Sequence, residues 1–146
     1  MTAILPAMLP VYENRLYDVY AEVSGRKRGR GTGLLRDVII ADSDDEAQAL
    51  WRNSGRFAGR AWFEPFGFRR GLQDPKTGAY LSPEEAIAEG YVLAGTADTV
   101  IRGLEANLRR QQVDWIFCYT YNALVPHPML MKSIERFWTE VLPRFA

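Results

Sequence analysis

Two short stretches with consecutive apolar residues at their centres constrain this chain most. They are Leu34 to Ala41, centred on Val38-Ile39-Ile40, and Val113 to Tyr119, centred on Trp115-Ile116-Phe117-Cys118. β-branched and aromatic residues on successive positions describe strands covered on both faces, because a half-exposed strand would alternate apolar with polar. Two such strands, even with Tyr91-Val92-Leu93-Ala94 as a candidate short third, do not make a self-sufficient sheet. Each outer strand would present unpaired backbone N–H and C=O groups. The pattern therefore predicts part of a larger α/β structure.

Helical periodicity fills the remaining chain. Leu5, Leu9, Tyr12, Leu16, Val19, Tyr20 and Val23 recur at steps of three and four and predict a leading helix within residues 1–25, stopped by Gly25. Asp42-Ser43-Asp44-Asp45-Glu46 supplies cap oxygens and negative charge for a second helix with the stripe Ala47, Leu50, Trp51, Ser54, Phe57, Ala58, Ala61 and Trp62. Strand and helix together occupy 34–65. Residues 66–90 read as an insertion, turn-forming around Asp74 to Gly78, with a capping box at Ser82-Pro83-Glu84-Glu85 that starts a short helix. Residues 91–146 carry the last unit. Its parts are a helix on Val100, Ile101, Leu104 and Leu108, the second apolar strand, and a terminal helix on Leu130, Ile134, Phe137, Trp138 and Val141. The order helix, strand, helix, insertion, helix, strand, helix describes βα units within a single domain, 1–146.

Composition narrows the class. With 47% apolar and 25% charged residues in 146, the chain has the make-up of one globular domain. Lys plus Arg and Asp plus Glu both number 18, so no net field draws nucleic acid or anionic membrane, and neither is expected as a partner. No apolar run approaches the ~18 residues of a membrane span, and Met1 to Pro10 lacks the form of a secretory signal; a cytoplasmic location is the default expectation. One cysteine, Cys118, and one histidine, His127, exclude a disulfide framework and a Cys/His metal cluster within the chain, so no metal is expected.

Three stretches together resemble the luciferase-like, flavin-dependent monooxygenase family at the end of its (β/α)8 barrel. Leu35-Arg36-Asp37-Val38-Ile39-Ile40-Ala41-Asp42-Ser43-Asp44-Asp45-Glu46-Ala47 is similar to the family's seventh strand and acidic helix start. Tyr91-Val92-Leu93-Ala94-Gly95-Thr96-Ala97-Asp98-Thr99-Val100 looks like its apolar-Gly-Thr-Pro-Glu-x-Val segment, with Ala97 where proline is common. Ser133-Ile134-Glu135-Arg136-Phe137 and Glu140-Val141-Leu142-Pro143-Arg144-Phe145 look like its terminal helix and Val-(Leu/Met)-Pro ending. The resemblance implies an α/β fold, a partial (β/α)8 TIM barrel made of the last two βα units with an additional N-terminal helix and a loop insertion. A whole barrel takes ~250 residues, so the earlier strands that carry most flavin contacts are not in this sequence.

Active-site residues of such barrels lie at the C-terminal ends of strands. That geometry selects Tyr119, Thr120, Tyr121 and Asn122 after the last strand and Asp42 and Ser43 after the earlier one. Tyr119, Thr120, Asn122, Asp42 and Ser43 are candidates for holding FMN or a related flavin, the alternatives being core packing for Tyr119 and helix capping for Asp42 and Ser43. Tyr121 and His127 are the catalytic candidates, His127 as a proton donor or acceptor, set against a capping or surface role. Cys118 reads as a core residue. Arg26-Lys27-Arg28-Gly29-Arg30-Gly31-Thr32-Gly33 lacks Walker spacing and reads as a solvated connector rather than a phosphate loop. Phe63, Phe66 and Phe68 fall off the helical stripe and suggest an interface.

The leading functional expectation is a C-terminal fragment of a flavin-dependent luciferase-like monooxygenase, which inserts oxygen into an organic substrate using reduced flavin. Alone it is expected to be inactive and not to bind flavin tightly. Its expected partner is the missing N-terminal barrel portion or a second copy of itself, which makes a homo-oligomer the default. The rival is a stand-alone, non-catalytic α/β assembly module that pairs through exposed strand edges.

Overall fold

A computed structural model describes residues 3–5, 10–57, 77, 79, 82–120, 122 and 124–146, with side chains in the elements from Arg15 to Ser54 and from Ser82 onward. The elements are β1 (Ala3–Leu5), α1 (Pro10–Ser24), β2 (Thr32–Ile40), α2 (Asp44–Phe57), α3 (Pro83–Ala88), β3 (Val92–Gly95), α4 (Ala97–Gln111), β4 (Trp115–Tyr119) and α5 (His127–Arg136). A π-helical turn (Phe137–Val141) and a 3-10 turn (Leu142–Arg144) follow α5. The expected end of the second helix beyond Phe57, the turn around Asp74 to Gly78 apart from Thr77, and the Phe63, Phe66 and Phe68 group lie outside the described residues.

The four strands form one parallel sheet around β2. The two apolar runs do lie side by side, from Gly33 opposite Trp115 to Asp37 opposite Tyr119. β3 pairs with the C-terminal half of β2, and β1 with its start. Gly33 is paired with both Ile4 and Trp115, and Asp37 with both Val92 and Tyr119, so β4 occupies one side of β2 while β1 and β3 share the other. The chain thus moves from β2 to β3 in one direction and from β3 back across β2 to β4 in the other. Crossovers of one hand that travel in opposite directions must pass over opposite faces, and the packing obeys this. Ile39, Ala41, Val92 and Ala94 pack under Ala47 and Trp51 of α2, Ala86 of α3 and Leu130 of α5. Val38, Ile40 and Leu93 pack under Ala97, Val100 and Leu104 of α4 and Val141. The result is an open, mixed α/β structure with β2 sandwiched between two cores.

Several expectations need correction. Four strands occur among the described residues, instead of two or three. β2 begins at Thr32, two residues earlier than its apolar run. The leading helix starts at Pro10, where proline's missing N–H costs nothing, and Leu5 belongs to β1. Tyr17 is its buried anchor, with its hydroxyl donating to the Gly33 carbonyl at 3.4 Å, while the expected stripe residues Val19 and Val23 are exposed. An aromatic ring with a polar tip covers the start of β2 and satisfies a backbone carbonyl there, which turns the helix away from its aliphatic stripe. β4 is not covered on both faces: Trp115, Phe117 and Tyr119 are 56%, 46% and 48% exposed, because no described helix lies over that side of the strand. Trp138 is 63% exposed, whereas Val141 of the same expected stripe is buried, because the wider π turn at Phe137–Val141 rotates Trp138 off the core face.

Other local signals hold. Ala47, Trp51 and Ser54 are buried in α2 as the stripe requires. Ser82 Oγ accepts from Glu85 N at 3.1 Å and Glu85 Oε2 accepts from Ser82 N at 2.7 Å, which completes the capping box of α3.

The two-sided core is directly testable. Ile39→Ala and Ile40→Ala remove side chains from opposite faces of one strand, and each is expected to lower stability in urea unfolding by about 2–5 kcal/mol. Phe117→Ala, on the open face of β4, is expected to cost less than either. If one of the two isoleucine variants were as stable as the parent, the sandwich would be disproved.

Candidate functional site

In an open parallel sheet, the crevice where successive connections leave to opposite faces lies beyond the carboxyl ends of the strands. Here it falls between β2 and β3, where α2 and α4 begin. The N-terminus of α4 offers backbone N–H groups and a positive dipole end. Asp44, in the first turn of α2, fills that position. Its carboxylate accepts from Thr96 N at 2.7 Å and from Thr99 Oγ1 at 2.9 Å. Thr96, the cap of α4, in turn accepts from Thr99 N. The Thr96 backbone bond is the main reason the Asp44 carboxyl is held below the usual carboxylate range. A side chain at Gly95 would put its Cβ 2.5 Å from Asp44 Oδ1 and 2.7 Å from Thr99 Cβ, so glycine is required for this close approach. Sequence reasoning treated Asp44 only as part of an acidic helix start. The pairing of an acidic helix start with a Gly-Thr helix start some fifty residues on was the available signal.

Of the expected site residues, Asp42, Ser43 and Asn122 are engaged in the fold. Ser43 Oγ accepts from Glu46 N at 3.2 Å and caps α2, and Glu46 Oε2 accepts from Asp42 N. Asp42 is exposed and ion-paired with Lys132 at 2.7 Å and with Arg136 at 3.5 Å, both on α5; the Lys132 hydrogen bond lowers its pKa. Arg136 also donates to the Ala41 carbonyl and pairs with Glu140, while Ser133 Oγ accepts from Ile40 N at 2.8 Å. α5 is thereby latched across the end of β2. Asn122 is buried and its Nδ2 donates to the Val38 carbonyl at 3.4 Å. Thr120 is half-buried, and Tyr119 lies outside the crevice on the open face of β4. His127 is exposed at the first position of α5, between Pro126 and Pro128. Tyr121 lies outside the described residues.

Asp37 is a functional candidate the sequence reading passed over. Arg36 and Asp37 are adjacent in β2 and so point to opposite faces. Arg36 is buried on the α4 side, with Nε donating to Asn107 Oδ1 at 2.8 Å. Asp37 lies on the α2 side, across the register from Tyr119 and Val92. Burial pushes its carboxyl up to about 6, opposed only by a hydrogen bond from Trp51 Nε1 at 3.4 Å. It is a carboxyl held above the usual carboxylate range beside the Trp51 indole. Its signal in the sequence was a pair of adjacent charges, Arg36 and Asp37, between apolar residues of one strand.

The remaining reactive side chains carry little chemistry. Burial pushes the Cys118 thiol up to about 11, which keeps it protonated and a poor nucleophile. No group of three or more His, Cys, Asp or Glu suited to a metal occurs among the described residues. The basic loop is pinned: Arg28 pairs with Asp18 at 2.7 Å and lies 5.5 Å over the Tyr17 ring, and Asp114 accepts from Arg30 and from Gly31 N. No described helix is long and apolar enough to cross a membrane.

This geometry can be set beside known proteins. The monooxygenase RslO1 from Streptomyces bottropensis matches 99% of the chain with a TM-score of 0.71 at 16% identity. The oxygenating constituent of 3,6-diketocamphane monooxygenase from Pseudomonas putida, a type II Baeyer-Villiger enzyme solved in complex with FMN, matches 97% with a TM-score of 0.69 at 18% identity. The chain shares its fold with part of each of these two monooxygenases. It spans 42% of the length of each of these two proteins. No protein-family model and no curated protein matches the sequence. The likeness implied by the three sequence stretches is therefore borne out at the level of fold.

Asp37 gives the second prediction. Its folded pKa lies above the unfolded value, so the native state binds more protons between about pH 4 and 6, and ionisation there costs stability. Relative to the parent, Asp37→Asn is expected to be near neutral below pH 4 and to gain about 1–3 kcal/mol by pH 7–8. Urea unfolding of both proteins from pH 4 to 8 measures this. An advantage that does not grow with pH would mean Asp37 is ionised and satisfied.

Proposed function

We propose that this chain is a segment of a flavin-dependent, luciferase-like monooxygenase scaffold, derived from the last two βα units of a (β/α)8 barrel, and that it does not hold a flavin by itself. The fold match over essentially the whole chain carries this reading, and the share of each neighbour left uncovered supports incompleteness. The derivation includes one departure. A closed barrel keeps its helices outside the cylinder, whereas α2 and α4 cover opposite faces here, and β4 lies beside β2 instead of beyond β3.

The residues present do not fit the flavin phosphate. An anion is best held at a helix N-terminus, but at α4 that place is taken by the Asp44 carboxylate, which would repel it. Asp42, Ser43 and Asn122 spend their polar atoms on α5, α2 and β2. Oxygen insertion into an organic substrate is accordingly an activity of a completed assembly, in which the missing N-terminal barrel portion or a second copy supplies the cofactor contacts. The specific observation that favours the rival reading, a non-catalytic module that pairs through strand edges, is the open β4.

Flavin titration tests the proposal. FMN fluorescence anisotropy is expected to stay near its free value with the chain alone. It should rise to a stoichiometric end point when the chain is co-expressed with an N-terminal barrel segment from a monooxygenase of this fold. Tight, stoichiometric binding by the chain alone would refute its incompleteness. No binding in either case would refute the flavin assignment.

A further inference from the structure

Among the described residues β4 is an edge strand, and its make-up is unusual. Edge strands normally carry a lysine, a proline or a bulge that discourages pairing, but Trp-Ile-Phe-Cys-Tyr has no charge, proline or glycine. Among the described residues, no strand lies along its side away from β2. The direction of its backbone groups follows from β2. Ala41 N donates to β3, at Gly95 O, whereas the Val38 carbonyl and Ile40 N are engaged from the other side by Asn122 and Ser133. Even-numbered residues of β2 therefore face β4. In a parallel ladder only one member of each opposed pair turns its N–H and C=O toward the other. With Arg36 opposite Cys118, the inward-facing residues of β4 are the odd ones, and Ile116 and Cys118 turn their backbone groups outward.

We infer that this edge pairs with the same edge of a second copy, as an antiparallel two-fold contact centred on Phe117. The register follows from the sequence and the pleat. Ile116 of each chain would oppose Cys118 of the other, and both positions have outward N–H and C=O groups, so they exchange backbone hydrogen bonds. Phe117 would face its own counterpart, and Trp115 would face Tyr119, at the closer non-hydrogen-bonded positions. All three aromatic side chains fall on the one exposed face, where cross-strand aromatic pairs are most favourable. The chain's zero net charge sets up no repulsion between copies. Three half-exposed aromatic rings amount to roughly 300 Å² per chain, short of the about 800 Å² of a stable interface. The contact is thus a weak, concentration-dependent dimer, and this inference is independent of the flavin reading.

Sedimentation over a concentration series is expected to show a monomer–dimer equilibrium for the parent. Phe117→Lys should be monomeric throughout with unchanged circular dichroism, because it sets like charges against each other on the two-fold axis. Register is read by crosslinking. In a Cys118→Ser background, Phe117→Cys is expected to form an intermolecular disulfide under mild oxidation, since Cα atoms at such a position are ~4.5 Å apart. Tyr119→Cys, displaced along the strand from its counterpart, should not. A parent that stays monomeric at every concentration overturns the inference. So does a dimer that survives Phe117→Lys, equal crosslinking at 117 and 119, or association only with an added N-terminal barrel segment.

Discussion

The rest of the molecule depends on β2 being enclosed. It hydrogen-bonds to strands along both edges and packs against helices on both faces. A strand so placed must be apolar on consecutive residues, and its two charges must be accommodated one to a face. Arg36 finds Asn107 in the α4 layer, and Asp37 finds Trp51 in the α2 layer. Where β2 ends, Ser133, Arg136 and Asn122 take over the hydrogen-bonding groups that β4 is too short to reach. The polar residues at the carboxyl end of this sheet thus serve the backbone first.

That priority explains why site prediction by position was less successful than prediction by fold. Elements with local causes were legible: the capping box at Ser82, the stripe of α2, the acidic start at Asp42 to Glu46, and the pairing of the two apolar runs. What was not legible depends on distant partners. Nothing near Val113 to Tyr119 tells whether helices will cover both of its faces, and only the return of the chain across β2 leaves Trp115, Phe117 and Tyr119 open on one of them. Asp44 looks like any acidic helix start until Thr96 and Thr99 are brought against it. The phase of the last helix was misread at Trp138 because a π turn leaves little trace in periodicity.

The likeness to two monooxygenases and the occupation of the α4 N-terminus by a carboxylate belong together. A scaffold can keep its strands and helix starts while the polar atoms at their ends are reassigned to one another. Asp44 illustrates this, since it occupies the N-terminus of α4 with a negative charge of the protein's own. One uncompensated position remains in the α4 layer: the Gln111 side chain is fully buried and neither its Nε2 nor its Oε1 has a partner among the described residues. Such a group lowers stability, and its presence beside the buried Arg36 network shows that this layer is not an optimised apolar core.

The position of β2 in the chain also has a bearing on how the protein is made. Its two main neighbours begin at Val92 and Trp115, more than fifty residues downstream of Ile40. As the chain leaves the ribosome, its central strand is complete well before either flanking strand exists. Long-range parallel pairing of this kind is slow to form, and the nascent segment stays prone to association until synthesis nears its end. The sheet order therefore leaves β2 without its main strand partners until most of the chain has been made.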